Sequence, residues 1–182
     1  MELKRPRTAA SDRPACGNDL EVVLMDEDHL KGTVFNLVLM VWRRRTLAEP
    51  YRAGSELVRN FALKHPEGVG VLQVVETEAS PPDAEARKAF ADFLKLTSIQ
   101  HFCVTHEGSG FKAASIRAIT SGVHALARPT FAHAVHSTVA EAARWAVAQN
   151  KLIGRDDDWQ VIERTLQKFR KMHLDQYPGP SK

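Results

Sequence analysis

The chain has 182 residues, 43% of them hydrophobic and 26% charged, a balance that suits one globular domain with short appendages and excludes global disorder. No apolar run approaches the ~18–20 residues of a membrane-spanning helix. A net charge of +3, from 25 basic and 22 acidic residues, is too slight to point to nucleic acid as a partner.

Residues 1–19 read as a flexible basic arm. They carry Lys4, Arg5, Arg7 and Arg13, hold Pro6 and Pro14, and lack the apolar stretch of a signal peptide. Structure is expected from Leu20. Two β-like runs, Glu21–Met25 and Phe35–Trp42, flank a polar segment holding Gly32, which predicts an antiparallel hairpin whose linker in part extends a strand. Thr46 and Glu49 have the spacing of a capping box, and Tyr51, Gly54, Val58 and Phe61 form the stripe of the helix that follows, which stops near His65 and Pro66. Residues 69–75 are almost continuously apolar, as in a strand covered on both faces.

Ser80, Pro81, Pro82 and Asp83 predict the next helix start, with proline in the first turn and Ala86, Phe90, Phe93 and Leu94 facing the core. Ile99–Thr105 is another strand. Gly108, Ser109 and Gly110 then turn the chain into a helix with Ile116, Ile119, Val123 and Leu126 as its stripe, ended by Arg128 and Pro129. Residues 130–136 form a further strand. Thr138 and Glu141 make a second capping box, opening a helix that bears Val139, Ala142, Trp145 and Ala146. This order implies an α/β domain over residues 20–149, with a mainly parallel sheet, right-handed crossovers and the antiparallel hairpin at one edge.

Residues 150–182 differ in character. A linker with Gly154 leads to Asp156, Asp157 and Asp158, which cap an amphipathic helix from Trp159 to Met172 or beyond, before a loose tail from Gln176. Trp159, Ile162, Leu166 and Phe169 form its stripe. Such a stripe folds back on its own sheet, pairs with a second copy, or binds another protein. Folding back ranks first because neighbours in sequence tend to be neighbours in space.

The order of elements from Leu20 to Ala148 resembles the STAS-like superfamily, the anti-sigma-factor-antagonist fold. The piece Val139–Trp145 is similar to the Glu-Ala-x-x-Trp type ending of many small bacterial members, and Glu107–Arg117 is similar to a segment of uncharacterised bacterial ones. The usual Asp-Ser-Ser-Gly phospho-switch is replaced here by the stretch Glu76–Asp83, so Thr77 and Ser80 are poor carriers of it. The resemblance implies a STAS-like sandwich and a non-enzymatic regulatory or protein-interaction module in the bacterial cytoplasm, acting on another protein or a second copy.

The residues themselves supply few chemical candidates. Gly108, Ser109 and Gly110 stand where a strand ends and a helix begins, a place that attracts anions, and Lys112 and Arg117 add positive charge. A small ligand or lipid headgroup bound there is the alternative function. Against it, Glu107 repels phosphate, and a glycine turn with Ser109 as helix cap explains the same residues. Ser109 lacks the flanks of a nucleophile elbow. His101, His106, His133 and His136 show no metal-ligand spacing, so no metal, cofactor or catalytic residue is expected. Cys16 and Cys103 read as free thiols, with Cys103 buried. Arg43, Arg44 and Arg45 read as a solvated strand end.

Overall fold

The computed structural model describes residues 20–178, with Phe111 and Lys112 given by backbone alone. Its six strands are β1 (Glu21–Met25), β2 (His29–Val34), β3 (Leu37–Trp42), β4 (Val69–Val75), β5 (Ile99–Thr105) and β6 (Ala132–His136). Its helices are α1 (Ala48–Ala62), α2 (Ala84–Phe93), α3 (Gly110–Ala127), α4 (Val139–Leu152) and α5 (Trp159–Gln176). The strands lie in the sheet in chain order. β1, β2 and β3 pair antiparallel, and β3 to β6 pair parallel.

The apolar runs in β3, β4 and β5 place side chains on both faces, and both faces are covered. One core joins Val38, Met40 and Trp42 of β3 with Val71, Phe102, Tyr51, Val58, Phe90, Phe93 and Ile116, beneath α1, α2 and α3. The opposite core joins Leu30, Leu39, Leu72 and Cys103 with Val139, Ala142, Ala146, Ile162, Leu166 and Phe169, beneath α4 and α5. The sheet is therefore the middle of three layers.

Four expectations change. The hairpin linker contains a full strand, β2, so the expected hairpin is a three-stranded meander. Its Gly32 is mid-strand rather than in a turn: a Cβ there would meet the Phe169 ring at 2.9 Å, so the glycine lets α5 rest on the backbone. The first capping box does not form, because α1 is preceded by Leu47, while the Thr46 hydroxyl donates instead to the Ser80 carbonyl at 2.9 Å. Pro81 and Pro82 precede α2, which Asp83 caps by accepting from the Ala86 N–H at 2.8 Å. In α3, Leu126 leaves the expected stripe and is 84% exposed.

The second capping box forms in full between Thr138 and Glu141. Asp158 caps α5, and Ile162, Leu166 and Phe169 are wholly buried in the chain's own second core, so the stripe folds back. Trp159 is half-buried beneath the Arg144 guanidinium, which lies 4.1 Å from its ring centroid. The helix runs beyond Met172 to Gln176, where the tail was expected to begin, and the Tyr177 hydroxyl donates to the Met25 carbonyl. The basic arm and Cys16 lie outside the described residues. No described helix is long and apolar enough to cross a membrane.

Candidate functional site

The carboxyl ends of β4 and β5 hold the glycine turn singled out in the sequence. Glu76 ends β4 and Glu107 follows β5. Between them reaches Arg170 of α5, whose Nε and Nη2 donate to Glu76 at 2.6 and 2.7 Å and whose Nη1 donates to Glu107 at 2.8 Å. Burial alone would push this guanidinium down. The two carboxylates outweigh it and hold Arg170 above its usual range. The other Glu107 oxygen accepts the Val139 N–H at 3.1 Å, at the start of α4. This end of the sheet is thus a polar clasp that binds α5 and α4 to the strand ends.

The predicted ligand residues fit around the clasp. Arg117 donates to the Gly108 carbonyl at 3.4 Å, which turns its charge toward the backbone. A Cβ on Gly108 would come within 2.7 Å of His106 Nε2, so this glycine accommodates a side chain of the chain itself. Ser109 occupies the cap position of α3 without a side-chain cap bond, which corrects the expectation that its hydroxyl caps the helix. Gly110 takes a positive φ of 75°. Lys112 belongs to α3, and its side chain lies outside the described set. None of their described side chains lines the cleft described below.

The described residues include no cluster of three or more His, Cys, Asp or Glu side chains able to hold a metal. His101 is fully buried against Trp145 and is pushed down to about 4 by burial. Cys103 is wholly buried, and burial pushes its thiol up, which keeps it protonated and inert. Arg44 and Arg45 do not form a free basic edge: they turn back to Glu27 at 2.9 Å and Asp28 at 2.5 Å.

A second locality, not singled out from the sequence, lies at the β1 edge. The outer side of β1 has no strand partner among the described residues, since β1 is the terminal strand of the sheet. Val22, Val23 and Leu24 are 37%, 47% and 38% exposed, and Leu47 beside α1 is 37% exposed. The register shifts between Val22 and Leu24, leaving Val23 in a bulge. Leu24 and Leu47 also line a cleft of about 480 Å³, with Pro50 and Ala53 of α1 and with Asp26, Asp28, His29, Lys31 and Glu49.

Lys31 is the unusual member. It sits mid-strand in β2, is 2% exposed, and its Nζ is buried without a hydrogen-bond partner. Burial pushes its amine down to about 8, against the opposing pull of Asp26 and Glu49. His29, two residues away on the same face, is lowered by burial and by Lys31, although its Nδ1 lies 2.6 Å from Asp26 Oδ1. From sequence the stretch around Lys31 reads as the polar linker of the hairpin. The burial of Lys31, near Glu49, Pro50 and Ala53 of α1, is announced by no sequence signal.

Comparison with protein-family models, with curated proteins and with solved structures finds no match for this chain. The class that the fold defines is therefore a three-layer α/β domain with a six-stranded mixed sheet.

Proposed function

We propose that this chain is a non-enzymatic regulatory or protein-interaction module of STAS-like type that recruits an extended segment of a protein partner along β1. One observation carries the reading: a sheet edge that has no strand partner among the described residues and is apolar on its exposed side chains. Edge strands of soluble domains are usually blunted by inward charges, proline or a covering loop. β1 carries a single charge, Glu21, and exposes three consecutive apolar residues. A strand added to that edge would gain main-chain hydrogen bonds and cover Val22, Val23 and Leu24, with Leu47 continuing the apolar surface. The bulge at Val23 restricts which segments pair, which favours a specific partner over indiscriminate association.

The small-ligand or lipid-headgroup alternative at Gly108, Ser109, Gly110, Lys112 and Arg117 has weaker support, because Glu107 keeps negative charge at the turn and Arg117 addresses the Gly108 carbonyl. A photo-crosslinking residue in place of Val23, in cells that make the protein, is expected to give a discrete protein adduct. The same residue in place of the exposed Leu126 is the control and is expected to give none. Equal adduct patterns at both positions, or no adduct at Val23, would overturn the reading.

A further inference from the structure

We propose that the cleft at the amino ends of β5 and β6 binds a neutral pyranose sugar. This place lies at the opposite end of β5 from the Gly108 turn and does not involve β1, so the inference stands apart from partner binding there.

Three observations converge. The first is an uncharged lining. The cleft measures about 340 Å³ and is bounded by eight residues, none of them Asp, Glu, Lys, Arg or His. The cleft beside β1, and another of about 490 Å³ between α1 and α2, are by contrast lined largely by ionic side chains. The second is the polar set. Thr97, Gln100, Thr130 and Gln149 bring two hydroxyls and two primary amides to the lining, and among the described residues no side-chain hydrogen bond engages them. The third is apolar surface beside those groups. Ile99 lies at the floor, 4% exposed, Phe131 is half-buried, and Leu152 stands 79% exposed.

The lining selects a chemical class. An ion would leave water for a surface that offers it no counter-charge. A hydrocarbon would displace water from four polar side chains and return no hydrogen bond to them. A pyranose does neither. Each of its hydroxyls both donates and accepts, which matches amides and hydroxyls that do the same, and its ring C–H groups cover the apolar side chains between them. The space suits a single ring with part of its hydration. For a ligand of about a dozen heavy atoms on a half-open surface, a dissociation constant of about 1 mM is expected.

The test is titration of the isotope-labelled full chain with methyl β-glucopyranoside, followed by amide chemical shifts. The expected result is saturable shifts of the Gln100 and Gln149 side-chain amides and of the backbone around Thr97, Thr130 and Leu152, all fitting one dissociation constant. Glucuronate, the same ring bearing a carboxylate, is expected to bind at least about fivefold more weakly. Gln100→Leu combined with Gln149→Leu is expected to weaken the glucoside at least about tenfold with an unchanged unfolding midpoint, since neither side chain belongs to a core. Thr130→Val, at an exposed position, gives an independent reading that does not rest on the double variant and weakens binding about threefold. N-acetylalanine methylamide, a neutral peptide probe, is expected to leave these shifts unchanged. Shifts that rise linearly or spread over the surface, binding that survives the substitutions, equal binding of glucuronate, or saturable binding of the peptide probe at the same residues would overturn the proposal.

Discussion

Lys31 shows how a single side chain records its surroundings in the pH dependence of stability. In the unfolded chain its amine titrates near its ordinary value of 10.5, and in the folded chain near 8. Below about 8 both states carry the proton, and the folded state bears the full cost of a buried charge, about 3 kcal/mol on the linkage relation. Between the two values the unfolded chain binds more protons, so this residue makes stability rise with pH. Lys31→Met keeps the unbranched stem and removes the amine. The variant is expected to be more stable than the parent at pH 7 by up to about 3 kcal/mol, with the gap closing as pH rises from 8 to 10. Urea midpoints of the two proteins across that range test it, and the difference between them cancels the opposing contributions of Tyr51 and Cys103, whose pKa values burial raises. A gap that stays constant with pH would show that the amine is not held neutral. The residue type alone conveyed none of this, since Lys31 lies in the polar stretch that reads as a hairpin linker.

The two capping boxes show how a local signal holds or fails according to what else competes for its groups. Thr138 and Glu141 satisfy each other and the adjoining N–H groups within one turn, so their box is legible from four residues. Thr138→Ala is expected to cost about 1 kcal/mol, measured as a lowered denaturation midpoint with an unchanged slope. Thr46 and Glu49 have the same spacing, yet Thr46 is drawn away by the Ser80 carbonyl 34 positions along the chain, and Glu49 pairs with Arg52 at 3.3 Å. A non-local hydrogen bond took the group that the local motif required. β2 was missed for a related reason. His29, Lys31 and Gly32 are poor strand formers by composition, and they become a strand because β1 and β3 flank them on either side. Gly70 sits in an apolar run for a reason equally distant: a side chain there would run into the His101 ring on the next strand.

Across the whole molecule, α5 closes the second core. Phe169 rests on Gly32, Ile162 and Leu166 are wholly buried, and Arg170 clasps Glu76 and Glu107. Deleting residues 156–182 is expected to uncover Leu30 and Leu39, bind a hydrophobic dye and lower the unfolding midpoint. A shortened chain with an unchanged midpoint and no dye binding would contradict that packing. The sequence by itself determined the α/β class, the central strands, most helix boundaries and the stripe of α5. These follow from periodicity and cap chemistry, which act over a few residues. The tertiary structure alone decided that the stripe is covered from within, that Glu76 and Glu107 meet over Arg170, and that Lys31 is interior beside a cleft. Each of these joins positions tens of residues apart or more, and burial and charge pairing at that range arise from the layering of the fold, which no local pattern encodes.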